Sequence, residues 1–224
     1  MWLLGVVPYA EISNSLTVQE DEPHQDRFEG QPLPADALQL THDLTLRDGS
    51  VVHVRAIRAD DTERLQAFHA HLSMESIIWR FFRCVPSLSD EQARQFTHVD
   101  YANRMALIAT RGAEEAEEFL AVVRYDRTAA REAEIAFVVQ DAWQGHGIAT
   151  ALLHQLAAYA RAQGVERFVA LTMGSNARML DVLHHCGFPC QMRYDGGDIL
   201  AIIDITAPPT FSPSPPRADT AREG

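Results

Sequence analysis

The chain contains no lysine: all 19 of its basic residues are arginine. Regulation through modification of its own lysine side chains is thereby excluded, whether the absence reflects a biased genome or the chain's own chemistry. Cysteine is nearly as scarce. Cys84, Cys186 and Cys190 are too few for a disulfide framework and suit a reducing, cytoplasmic setting. His184, His185 and Cys186 stand close to Cys190, but their spacing fits no zinc pattern, so no metal is expected. A long hydrophobic run is also missing. Met1–Ala10 is apolar but too short to span a bilayer, and the first Arg is Arg27, so the basic start of a secretory signal is lacking. No membrane partner is expected. Basic charge is in deficit, 19 residues against 31 acidic, for a formal charge of −12. That balance argues against a nucleic-acid partner, which needs a basic face, and favours a cationic one drawn in by a negative field.

What is present fits one globular domain. The hydrophobic fraction of 46% is ordinary, and 224 residues suffice for one well-filled core with length left over. Residues 1–40 mix Pro, Gln, Asp and Glu with few periodic apolar positions and read as a loosely ordered arm. Residues 207–224, rich in Pro, Ser and Thr, read as a disordered tail. Between them, residues 41–206 show no internal repeat.

Within that domain the patterns alternate between period 2 and period 3.6. Leu44–Arg58 reads as a hairpin turned at Asp48-Gly49, with Val52, Val54 and Ala56 alternating. Asp60–Leu72 reads as a helix with Leu65, Phe68 and Leu72 on one face. A second helix starts at Ser89, where Ser89 and Gln92 have the spacing of a capping box. Met105–Thr110, Glu118–Tyr125 and Glu132–Val139 read as strands. Ile148–Gln163 reads as an amphipathic helix, with Ile148, Leu152, Leu156 and Tyr159 on one face and Gly164 as its stop. A strand over Arg167–Thr172, a helix over Asn176–Cys186 and strands over Gln191–Tyr194 and Ile199–Ile205 complete the order. This order predicts an α+β fold: a mixed, mostly antiparallel sheet of about seven strands flanked by about four helices.

The most informative segment joins the strand ending at Val139 to the helix starting at Ile148. Gly145 and Gly147, spaced by His146, let the backbone adopt positive φ and come close to a ligand. The first-turn amides of the following helix lack intrahelical partners and, with the helix dipole, form an anion site suited to a pyrophosphate. Gln144-x-x-Gly147-x-Ala149 spells Q/R-x-x-G-x-G/A. The dinucleotide fingerprint G-x-G-x-x-G is not completed, because Thr150 occupies its last glycine position.

On these residues the chain resembles the GNAT N-acetyltransferases, and within them the bacterial protein-lysine acetyltransferases. The resemblance runs from about Thr41 to Ile205. It includes Val54-Arg55-Ala56-Ile57-Arg58, the segment from Leu72 through Ser76 to Arg80-Phe81-Phe82, Ala133 to Val139, Asn176-x-x-Met179-Leu180, and Gly187-Phe188. It implies acetyl-CoA as co-substrate and a protein acceptor with an exposed lysine. It also implies that Phe137, Val138 and Val139 pair with the pantetheine arm as an added strand would. Gln144, Gly145, His146, Gly147, Ile148, Ala149 and Thr150 would form the pyrophosphate site, and Asn176 would contact the cofactor. Some mycobacterial relatives carry a cyclic-nucleotide-binding domain; the first 40 residues are too short for one, so none is expected here. The missing lysines also suit a lysine-modifying enzyme that has lost its own targets.

Amide formation needs a neutral amine, and a free lysine has a pKa of about 10.4; a carboxylate close to the thioester can take the proton, directly or through a water. The resemblance assigns that role to Glu134, with burial near apolar neighbours such as Phe137 raising its pKa. Two positions depart from the family. Leu183 stands where many relatives have a tyrosine that protonates the leaving thiolate, which leaves the general acid unassigned between Tyr194, His184 and none. His146 stands where Arg or Lys is common, giving a pH-dependent phosphate contact. Two other readings stay open: a small-molecule amine acetyltransferase, and a CoA-binding sensor without catalysis.

Overall fold

A computed structural model describes residues 33–113 and 116–210. Most of the expected N-terminal arm and of the expected tail therefore lies outside the described residues. One eight-stranded sheet organises the fold: β1 (His42–Thr45), β2 (Val51–Ala56), β3 (Arg104–Arg111), β4 (Glu118–Ala129), β5 (Glu132–Val139), β6 (Arg167–Met173), β7 (Cys190–Asp195) and β8 (Asp198–Asp204). Their spatial order is β1-β2-β3-β4-β5-β6-β8-β7. Every neighbouring pair is antiparallel except β5–β6, which is parallel because a helix crosses between them.

Six α-helices accompany the sheet among the described residues: α1 (Ala35–Leu38), α2 (Thr62–Ala70), α3 (Met74–Phe81), α4 (Asp90–Thr97), α5 (Ile148–Ala162) and α6 (Ala177–His184). Two go beyond the sequence expectation. α1 is one turn inside the segment read as a loose arm, and its Ala37 is fully buried. α3 is capped by Ser73, whose Oγ accepts the Ser76 amide, and ends at Phe82 in the left-handed region (φ 55°), where glycine is usual. α4 carries the expected Ser89–Gln92 capping box. None of these helices is long and apolar enough to cross a membrane.

The core forms where β3 and β4 are buried along almost their whole length, which requires helices on both sheet faces. α5 packs across β3, β4 and β5, burying Ile148, Leu152, Leu156 and Tyr159, the four positions of its predicted stripe. α2 packs on β4 and α3 on β5, while α4 packs against α2. Burying one such aliphatic side chain stabilises by about 1.5–3 kcal/mol, so this double layer holds the middle strands firmly.

The parallel junction is different. β5 and β6 pair at only three positions, Glu132 with Arg167, Ala133 with Phe168 and Glu134 with Val169. Beyond Glu134, β5 continues to Val139 paired only with β4, and β6 continues to Met173 paired only with β8. The sheet opens there into a wedge.

Candidate active site

The wedge widens from Glu134 toward Val139, where the β5–α5 loop begins. Gly145 (φ 82°) and Gly147 (φ 87°) both occupy the left-handed region, and Gly147 is the N-cap of α5, with no side chain capping the helix. A Cβ at Gly145 would meet nothing within 4 Å. The loop thus presents a bare, open helix N-terminus, as the anion-site reading requires. Both ring nitrogens of His146 have neighbours: its Nδ1 lies 3.1 Å from the Gln144 carbonyl and its Nε2 3.5 Å from Asp48.

The loop is held by Gln144, a motif residue expected in the pyrophosphate site, and by Asp141, Ser73 and Ser76, to which the sequence reading gave no role. Gln144 donates from Nε2 to the Val139 carbonyl at 3.0 Å and to Ser76 Oγ at 3.1 Å, while its Oε1 accepts from Arg178. Asp141 accepts from the Ser73 amide (2.9 Å), Ser73 Oγ (2.7 Å) and Ser76 Oγ (2.9 Å). Although burial opposes it, these bonds hold the Asp141 carboxyl below its ordinary pKa. One carboxylate thereby ties the start of α3 to the loop before α5.

Glu134 sits on the last rung before the wedge. Across β4 its partner is Asp126, and the same sheet face carries Arg124 opposite Ala136 and Val122 opposite Val138. Burial pushes its carboxyl up to about 7; Arg80 opposes that shift, Asp126 adds to it and Arg124 again opposes it. Phe137, three residues on, lies on the opposite strand face, so it is not the apolar neighbour responsible. Glu132 is occupied elsewhere: its carboxylate accepts from Arg167 at 2.7 Å and from Thr128 at 3.2 Å. The Glu134 carboxyl, by contrast, has no hydrogen bond to a described residue.

The Glu134 face also borders a half-open pocket of about 40 Å³ between the sheet and α2, α3 and α4. Ala136 and Val138 of β5 and Arg124 of β4 line it, together with Arg80 and His69. Arg124 is fixed by Asp126 at 3.0 Å, and both arginines lie over aromatic rings, Arg80 over Phe81 and Arg124 over Phe96. His69 is buried with neither ring nitrogen hydrogen-bonded, and burial lowers its pKa. No periodicity in the sequence marks His69 as other than a helix-face residue.

The remaining expected positions fall as follows. Phe137, Val138 and Val139 lie on β5 beyond its last pair with β6, and Ile148, Ala149 and Thr150 form the first turn of α5. Asn176 is the N-cap of α6, its Oδ1 accepting the Met179 amide at 3.0 Å. Leu183 is fully buried in the core, and the two candidate acids, Tyr194 and His184, are exposed. The described residues contain no cluster of metal-ligating side chains.

Comparison with known proteins bears on this geometry. The family model for the acetyltransferase (GNAT) domain matches residues 52–189. The GNAT domain of the S. lividans acetyltransferase PAT is a structural neighbour with 40% identity and a TM-score of 0.69, covering 76% of this chain and 98% of that one. Acetyltransferase Pat of Mycolicibacterium smegmatis is 28% identical over 180 residues, which are 80% of this chain and 53% of that protein. The chain thus spans about half the length of that relative. An acetyltransferase of Pseudomonas aeruginosa is 27% identical over 152 residues, 67% of this chain and 82% of its own length.

Proposed function

The chain belongs to the GNAT acetyltransferase family, in its Pat-like branch, and from that premise we propose that it transfers the acetyl group of acetyl-CoA to a protein lysine ε-amine. The observation that carries the reading is the position of Glu134, at the rung where β5 and β6 part and on the strand that leads to the open N-terminus of α5.

The residues present fit acetyl-CoA. The bare amides of Gly145 to Thr150 suit its pyrophosphate, and the unpaired edge at Phe137, Val138 and Val139 suits its amide-bearing arm; Asn176, which caps α6, is the further contact the family resemblance implies. Acetyl-CoA supplies an acyl group already activated as a thioester. Glu134 supplies the base: a carboxylate oxygen accepts the proton of the incoming ammonium, leaving a neutral amine able to attack. A carboxyl titrating at about 7 is ionised in a large share of molecules near neutrality and is a better proton acceptor than one at the ordinary value. The charge of −12 draws in a cationic acceptor. Residues 41–206 form the catalytic unit in this reading.

The test has two parts. Calorimetry with acetyl-CoA should give a Kd between roughly 1 μM and 1 mM for the wild type. Binding should be lost in Gly147→Trp, whose circular dichroism should stay native. Thiol release with a lysine-bearing protein, followed by mass spectrometry, should then locate the acetyl group on an ε-amine. Undiminished affinity in Gly147→Trp would remove the phosphate-loop assignment, and release without lysine modification would replace the acceptor class.

A further inference from the structure

We propose that Arg47, at the tip of the β1–β2 hairpin, is a second phosphate-binding group of this chain and contacts the pyrophosphate held by the α5 N-terminus. The inference rests on the acetyl-CoA reading above, and adds to it a residue from an element that the motif does not contain.

The hairpin tip is built to stay in place. Leu46 is buried, its amide donates to the Ser50 carbonyl at 2.8 Å, and the Gly49 amide donates back to the Leu46 carbonyl at 3.0 Å. Gly49 takes positive φ (85°), and the Asp48 carboxylate accepts from both the Ser50 amide (3.0 Å) and Ser50 Oγ (2.6 Å). Two contacts lay the hairpin along α5: His42 meets Gln155 at 2.9 Å, and Asp48 meets His146 at 3.5 Å. The first holds the strand beside the middle of the helix and the second holds the tip beside its start.

Arg47 then projects over the helix N-terminus. A Cβ built on Gly147 would lie 3.7 Å from Arg47 Nε, so the guanidinium stands against the residue whose amide opens the helix. Arg47 is exposed, and no acidic side chain among the described residues pairs with it. Its neighbour Asp48 is already engaged with Ser50 and His146, and those Ser50 bonds hold its carboxyl below the ordinary value. The local arrangement therefore separates the two charges of the tip: the carboxylate is directed to the turn and to His146, the guanidinium to the anion site. A planar guanidinium matches a phosphate with two parallel N–H donors, which an imidazole cannot do. Arg47 supplies the permanent cation that His146, at the usual basic position of the loop, lacks.

The experiment measures Kd by calorimetry for CoA and for 3′-dephospho-CoA with wild type, Arg47→Ala and Arg47→Lys. The two ligands share the pyrophosphate and differ in the ribose phosphate. Arg47→Ala should weaken both by the same factor, roughly 3- to 30-fold, the range for a charge-assisted hydrogen bond discounted for exposure. Arg47→Lys should recover part of the loss, and the dependence of affinity on salt should be shallower in Arg47→Ala. Melting temperatures should be unchanged, because an exposed side chain with no acidic partner among the described residues holds little together. Equal affinity for Arg47→Ala and wild type overturns the proposal, as does a loss confined to CoA, which would place Arg47 on the ribose phosphate. Failure of the wild type to bind either ligand would instead overturn the acetyl-CoA reading itself.

Discussion

If Glu134 is the base proposed above, stability and chemistry conflict at a single carboxyl. The folded chain holds its proton to about 7, whereas an unfolded glutamate releases it near 4.5. Between those values the folded state binds more protons, so stability falls as pH rises through that window, and the penalty is complete above about pH 7. Glu134→Gln removes it. The variant should be more stable than wild type by about 1–3 kcal/mol at pH 8, with the gap closing toward pH 4.5, as read by urea melts across pH. Its kcat should fall by about 10²–10⁴-fold with little change in acetyl-CoA affinity, and the rise of kcat/KM through about pH 7 should disappear. Glu132→Gln is the matched control: it loses only the partly exposed pair with Arg167, so about 1 kcal/mol or less of stability and no turnover. A Glu134→Gln variant with full turnover would move the base elsewhere. At this scale the sequence was informative where a motif supplied context. Glu134 and Glu132 are indistinguishable by composition, and only the resemblance separated them. Asp141, Ser76 and Arg47 escaped notice because their roles depend on partners 68, 65 and, for Arg47, about a hundred positions away in the chain.

Elements were legible in proportion to their periodicity. α5 follows from its four-residue stripe, β2 from alternation and the other strands from short apolar runs, in a sheet of eight where about seven were expected, and the capping box announced α4. α3 was missed for a physical reason. Its exit residue is Phe82 in the left-handed region, so the glycine that usually marks a helix end is absent, and Ile77-Ile78 with Trp79 resembles a buried strand as much as a helix. What fixes α3 is tertiary: the Asp141 carboxylate, which receives three hydrogen bonds from Ser73 and Ser76. Asp141→Ala should lower stability by about 1–2 kcal/mol, a few degrees in melting temperature, given the exposure of the side chain. The loss should localise, with amide exchange accelerated in 74–81 and not in α5. The carboxyl is held below its ordinary value, so its contribution is present above the unfolded pKa and is lost as pH falls through the folded one. If exchange in α3 stays at the wild-type rate, the carboxylate is decoration and the helix is held by its apolar face.

At the scale of the whole molecule, the lysine-free composition makes a direct prediction. Incubated with acetyl-CoA, the chain should acquire no acetyl group on any side-chain amine, and intact mass should show at most one addition, at an α-amine. An enzyme and its acceptor can therefore be mixed at high concentration and every lysine adduct assigned to the acceptor. The global topology was readable as a mixed, mostly antiparallel sheet, from the strand–helix–strand order around α5. The length of the parallel β5–β6 junction was not readable, since three paired positions and seven look alike in sequence. Its shortness has a further consequence. From Ile135 to Val139 the molecule carries a sheet border in its interior, a row of backbone donors and acceptors ready to accept any extended chain of the right length. An extended loop of a neighbouring copy would pair with that border as a strand pairs with a sheet edge, a route to aggregation. Acetyl-CoA at a hundredfold over its Kd would add about 2.7 kcal/mol by mass action and stopper that border at once. Shelf life, read as loss of monomer on storage, should therefore lengthen with the ligand by more than the gain in melting temperature alone accounts for.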